Sequence, residues 1–209
     1  MRPLPFMSTS CAGPNSKRFC SRRCVVKSTW TPPAGASADM THDPSRDREF
    51  EIAAHWALYV ENYLEGLHIP FVHASLDAEL DSSAYTTGIH RYANVQVARD
   101  RSGAVAARYW WIFPNLMLNF YPWGVSVNLV LPEGMARTRV LFRAFVSDPS
   151  KLGRGAGAGL DRVEAEDEAI VLAVQRGVRS RLYRGGRYST SREQGVHHFH
   201  RLLGEFLEP

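Results

Sequence analysis

Ala-His-Trp-Ala-Leu-Tyr-Val-Glu-Asn-Tyr-Leu-Glu-Gly-Leu-His-Ile-Pro-Phe-Val-His, residues 54–73, is the stretch on which both fold and chemistry turn. Trp56, Tyr59, Val60, Tyr63, Leu64 and Leu67 recur at three- and four-residue steps, which predicts a helix running to His68. Glu61, Glu65 and His68 fall on one neighbouring strip. His68 and His73 are five residues apart. At roughly 100° per residue a regular helix would point them about 140° away from each other. Pro70 lacks the N–H that a helix interior needs and biases Ile69 away from helical geometry, so a bend is expected between the histidines, letting both imidazoles converge.

Two neutral imidazoles plus a carboxylate, with open positions left on the metal, form the facial arrangement of non-haem iron(II) oxygenases. The competing reading is a helix carrying two satisfied core histidines. A third ligand would be a buried acid elsewhere in the chain. Leu160 to Val178 reads as a helix in which Val163, Asp167, Ile170, Val174 and Val178 share one buried stripe. Glu164 and Glu168 fall away from it on a solvated face, and Glu166 sits near its edge. A buried Asp167 needs a partner. Either a cation shared with the histidines or an arginine such as Arg143 or Arg108 would serve.

The run Glu61-Asn62-Tyr63-Leu64-Glu65-Gly66-Leu67-His68-Ile69-Pro70-Phe71-Val72-His73 resembles the iron-binding signature of Rieske-type ring-hydroxylating oxygenases, in their alpha subunit. Glu166-Asp167 resembles that family's third-ligand region, an acidic pair early in a C-terminal helix, and residues 175–207 resemble its carboxyl end. The resemblance implies one mononuclear non-haem Fe(II) held by His68, His73 and Asp167. It implies that Glu65 bridges the first histidine to a cluster-bound histidine of a neighbouring subunit, as an electron relay. Asn62 matches a polar position near the iron. Further implications are O2 and a small organic substrate, aromatic or quaternary-ammonium in type, mono- or dioxygenation, and homo-oligomers, trimers in this family. The family fold is a helix-grip α+β architecture, a curved antiparallel sheet around a long C-terminal helix.

Alternating runs at 92–98, 106–112, 116–121, 125–131 and 138–146 read as antiparallel strands, which agrees independently with that fold. Turns are expected at Asp100–Gly103 and Pro132–Met135. Trp110, Trp111, Phe113, Asn115, Asn119, Tyr121 and Trp123 lie in or between these strands, where the family places its pocket wall. The Gly-rich segment Lys151–Gly159 lacks the Gly-Lys-Ser/Thr ending of a phosphate cradle and reads as a flexible linker. Val196, Phe199, Leu202 and Leu203 suggest a last amphipathic helix, with His197 and His200 as surface or packing residues.

The 209 residues, 44% apolar, suffice for one core, expected over residues 43–209 behind a disordered or degenerate tail, 1–42. The net charge of +4 owes much to Arg2, Lys17, Arg18, Arg22, Arg23 and Lys27 in that tail, which gives no case for nucleic acid. No apolar run is long enough for a membrane span. Cys11, Cys20 and Cys24 all lie in the tail, and a thiol-free globular part fits the cytoplasm. The Cys-x-His pairs of a [2Fe–2S] Rieske site are not found in this sequence, so electrons are expected from a separate Rieske protein or ferredoxin and its reductase. A truncated, split or frame-shifted relative is one reading of that pattern. The alternative function is a catalytically degenerate helix-grip protein binding a hydrophobic ligand. A zinc hydrolase is a third, weakened by the lack of a His-Glu-x-x-His helix.

Overall fold

The structure, a computed structural model, describes residues 39–207. The readings of the tail and its cysteines fall almost wholly outside that range. The first described strand, β1 (Thr41–His42), sits against a later strand. β2 (Arg48–Ile52) follows, then the helices α1 (Trp56–Tyr63), α2 (Ile69–Val72) and α3 (Ala74–Glu79). Six strands come next: β3 (Thr86–His90), β4 (Ala93–Arg99), β5 (Val105–Ile112), β6 (Leu116–Tyr121), β7 (Gly124–Gly134) and β8 (Arg137–Val146). The chain closes with α4 (Leu160–Val178) and α5 (Gln194–Leu207).

All strands join one antiparallel sheet in the order β1-β8-β7-β6-β5-β4-β3, with β2 also paired to β8. Five strands stand within a few residues of where alternation places them. The three short ones, β1, β2 and β3, carry too few apolar residues to register as a pattern. The turn at Asp100 forms as expected, with the Asp100 carboxylate accepting from the Ser102 and Ala104 N–H groups.

Cross-strand register assigns each row of side chains a task. Asn94, Trp111, Met117 and Asn128 form one row, buried against α1, α4 and α5 with Val60, Leu64, Val171 and Phe199. Two residues along the strands, Gln96, Tyr109, Asn119, Ser126 and Ala144 form the next row on the same face. All but Gln96 of that second row line a cavity. The aromatic wall expected from sequence therefore divides: Asn119, Tyr121 and Trp123 line the cavity, whereas Trp111 is fully buried core and Trp110 stacks on His90.

The long α4 lies antiparallel to α1, since His55 at the start of α1 donates its backbone N–H to Gln175 near the end of α4, and Asn62 reaches Asp167 further back. α5 crosses the end of α1 at Gly195. A Cβ there would stand 2.5 Å from the Leu64 carbonyl oxygen, closer than atoms pack. The Gly-rich segment is no free linker: it folds into short 3₁₀ turns whose Ala156 and Gly157 are buried against Tyr121 and Trp123.

Gly195→Ala is expected to lower unfolding free energy by about 1–3 kcal/mol through overpacking against backbone. Gly204→Ala in the same helix meets open space and should stabilise by up to about 1 kcal/mol. Urea denaturation of both variants checks the pair, and equal midpoints would refute the close approach of α5 to α1.

Candidate metal centre and cavity

The helix expected to reach His68 stops at Tyr63. Glu65 ends it: its Oε2 accepts the backbone N–H groups of Leu67 and His68, offering the chain an alternative to helical bonds. Gly66 packs so close to the Tyr85 ring that an added Cβ would lie 2.8 Å away. The bend therefore precedes Pro70, which sits in the first turn of α2, where its missing N–H costs nothing. His68 stands immediately before this single helical turn and His73 immediately after it. His73 leaves helical geometry at φ −108°, ψ 70°. That departure, rather than a proline kink, turns the second ring toward the first.

The two rings lie 5.1 Å apart at 78°. Asp167 Oδ1 is 3.0 Å from His73 Nε2 and 3.5 Å from His68 Nε2, and accepts a 2.6 Å hydrogen bond from the Asn62 amide. The opposite ring nitrogens are engaged as well: His68 Nδ1 meets Glu65 Oε1 at 2.5 Å, and His73 Nδ1 meets Glu166 Oε2 at 2.8 Å. Each imidazole is thus oriented by a carboxylate behind it and aims its free nitrogen at Asp167, the pattern by which carboxylates orient metal-bound histidines. One donor atom from each of His68, His73 and Asp167 lies within 4.8 Å of the others. The set of two imidazoles and one carboxylate could hold a divalent first-row metal.

Among the described residues Asp167 meets His68, His73 and Asn62 rather than an arginine, and Arg143 pairs with Asp47. Burial alone would raise the Asp167 carboxyl, but bonds and charge from the two histidines hold it down to about 2. Burial would likewise lower His68, yet hydrogen bonds and charge from Asp167 and Glu65 raise it to about 9. His73 is raised for the same reasons, by Asp167 and Glu166.

Glu164 is where sequence reasoning fails. It is 7% exposed, Val174 is 41% exposed, and the buried positions of α4 are Glu164, Val171 and Gln175. The stripe is rotated from the expected one because two of its members, Glu164 and Gln175, are polar and satisfied by α1 and the residue that caps it. Both Glu164 oxygens lie near the Tyr59 hydroxyl, at 2.8 and 2.9 Å. Burial, with the charges of Asp167 and Glu168, pushes its carboxyl up to about 8 against the pull of Tyr59.

A cavity of about 330 Å³ opens beside the histidines. Tyr59, Tyr63, Tyr109, Tyr121, Trp123 and Phe142 contribute to its wall together with Asn62, Asn119 and Asn128. The expected metal ligands and the unexpected Glu164 line the same space.

Residues 81–208 match the family model described as "Ring hydroxylating alpha subunit (catalytic domain)", more than half of the chain. Choline monooxygenase, chloroplastic, of Arabidopsis thaliana is 36% identical over 177 residues, covering 77% of this chain and 41% of that protein. The quaternary ammonium Rieske monooxygenase CntA, in complex with an inhibitor, superposes with a TM-score of 0.68 at 22% identity, over 80% of this chain and 49% of that one. A second structure, described as revealing insights into carnitine oxidation and inter-subunit electron transfer, superposes at 0.64 and 20% identity, over 80% and 50%. The mixed fold of helices on an open antiparallel sheet is that of these oxygenase catalytic domains. The chain belongs to the ring-hydroxylating alpha-subunit family, and it spans about two fifths of the length of the curated relative it matches.

The raised carboxyl of Glu164 gives stability a sign. Its unfolded value is near 4.5 and its folded value about 8, so the folded chain takes up a proton between them and this group destabilises increasingly as pH rises through that window. In metal-free protein, Glu164→Gln removes the loss. Its stability relative to the native chain should grow from pH 5 to pH 8, on the order of 1.4 kcal/mol per pH unit at most. Urea titrations at four pH values measure it. Parallel pH profiles for the two proteins would mean that the carboxyl is hydrated in the fold.

Proposed function

We propose that this chain is the catalytic domain of an iron-dependent monooxygenase that hydroxylates a small quaternary-ammonium substrate, with electrons delivered through a Rieske cluster or ferredoxin from a reductase. The observation that carries the reading is the convergence of His68 Nε2, His73 Nε2 and Asp167 Oδ1 at the edge of a substrate-sized cavity. Iron(II), when bound by those three residues, supplies the activation of dioxygen.

The remaining tasks fall to the chain's own side chains. Glu65 and Glu166 fix the two rings from behind and keep their Nε2 atoms directed inward. Asn62 donates to Asp167 Oδ1 and holds the carboxylate in register with the rings. Glu65, 12% exposed at its side chain and bonded to His68, is also placed to relay electrons arriving from a cluster in an adjacent subunit of a homo-oligomer. The cavity wall binds the substrate and excludes water from the reacting carbon. Transfer of one oxygen atom rather than two follows the names of the relatives, as does the quaternary-ammonium class. Among the described residues no helix is long and apolar enough to cross a membrane. The lack of cysteine after Cys24 suits a reducing compartment, whether cytoplasmic or the chloroplast named for the plant relative. The complete ligand set speaks against a degenerate binding protein.

Protein purified without oxygen is expected to carry about one iron per chain, a stoichiometry set by one facial ligand set. His68→Ala and Asp167→Ala should each lose it, and Glu65→Gln should retain metal while turnover of choline, driven by an added Rieske protein and reductase, falls at least about tenfold. Metal-free native protein would overturn the oxygenase reading and favour the ligand-binding alternative.

A further inference from the structure

The charges lining the cavity are unequally compensated. At its mouth Arg46 pairs with Asp43 at 3.1 Å and Arg48 with Asp161 at 3.3 Å. Deeper in, Glu65 and Asp167 face His68 and His73. Glu164 has no such partner. Among the described residues its hydrogen bonds come from the Tyr59 hydroxyl, and the charges that reach it, those of Asp167 and Glu168, are negative.

A buried carboxylate with only a hydroxyl partner, in a negative field, is costly as a structural element. Packing would be served as well by glutamine, which keeps a bond to Tyr59, or by leucine. A buried acid with no cationic partner that borders a cavity, holding a proton while the cavity is empty, is instead suited to a cation whose arrival displaces that proton. An alkylammonium group fits this place in two further respects. Tyr63, Tyr121, Trp123 and Phe142 border the same space and supply aromatic surface for its methyl groups. Glu164 also lies three residues before Asp167 on α4, about one helical turn, so a cation held there has its neighbouring carbons next to the histidine cluster.

We infer that Glu164, braced by Tyr59, is the residue that selects a positively charged alkylammonium group in this cavity. The inference rests on reading the cavity as the substrate site. Glu164 discriminates by charge, and the aromatic wall by shape. The neutral carbon isostere of the same substrate, with a quaternary carbon in place of nitrogen, fills the same volume but leaves Glu164 without a counter-charge.

Calorimetric titration of the full chain with choline and with its neutral carbon isostere tests the assignment. The native protein should prefer choline. In Glu164→Gln that preference should shrink by roughly tenfold or more, the usual scale for losing one partner of a desolvated charge pair, with affinity for the isostere little changed. Glu164→Asp, which keeps the charge, should retain most of the preference. Because the readout is a ratio of two affinities on one preparation, partial unfolding of a variant does not imitate it. A native preference for choline that survives in Glu164→Gln overturns the role of Glu164 alone. A parallel loss of both ligands does so too, by showing that the residue only shapes the cavity. Failure of the native chain to bind either ligand overturns this inference together with the substrate-site reading, whereas iron content tests the metal centre separately.

Discussion

The carboxylate of Asp167 is the constraint on which the arrangement depends. It is nearly buried, carries a charge held down to about 2, and has to be satisfied by groups from another part of the chain. His68, His73 and Asn62 provide that satisfaction from the segment between α1 and α3. The same contacts tie distant parts of the sequence together: residues 62–73 precede the six consecutive strands β3 to β8 and residue 167 follows them. Without a bound cation, ring protons on the histidines supply the positive charge. A divalent metal bound there would supply it from the same place, so the residues that could hold a metal are those that help dock α4 on α1.

Bringing both rings to one carboxylate requires the helix to stop early, and several independent features enforce this. Glu65 takes up the N–H groups that a continuing helix would use. Gly66 allows Tyr85 to fill the space beside the bend, and Gly195 lets α5 press on the Leu64 carbonyl. Gln96 donates to the Tyr63 carbonyl, another group at the end of α1 that helical bonding leaves free, and is itself bonded by Tyr85. Sheet, bend and last helix thus converge on residues 63–68. A change in any of them reaches the cluster of His68, His73 and Asp167 through the orientation of His68.

Legibility in the sequence followed the physics of each signal. The histidine pair stood out because a motif fixes polar residue types and not only a period. β4 to β8 were visible because one face of each is buried, so hydrophobicity alternates; in β4 every second residue is buried. β1, β2 and β3 were not, since their stability comes from pairing with a neighbour and not from a buried face of their own. Spacing puts the bend at Pro70, four or more residues late, because proline is the louder helix-breaking signal while Glu65 acts through side-chain bonds that spacing does not encode. Periodicity puts Glu164 in solvent because it weighs residue type and not partners. Its burial depends on Tyr59, 105 residues away in sequence. The Gly-rich segment was read as free for a similar reason, since its packing on Trp123 is set by a distant aromatic.

The cavity combines these readable and unreadable parts into one electrostatic design. Tyr59, Tyr63, Tyr85, Tyr109 and Tyr121 border it, and burial pushes every one of their hydroxyls upward, so all remain neutral hydrogen-bonding groups at ordinary pH. Tyr63 donates its one proton to Asn119 Oδ1 at 2.6 Å, with the Trp110 carbonyl 3.1 Å away as an alternative acceptor, so that proton is spent on the wall itself. The tyrosines therefore contribute surface and shape, while the ionisable lining inside the mouth is confined to the face formed by α4 and the bend after α1. A ligand entering this space meets a neutral, largely aromatic wall on the sheet side and acidic groups on the helix side. That polarity fixes which end of an amphipathic cation turns toward α4, and with it which carbons lie near His68 and His73.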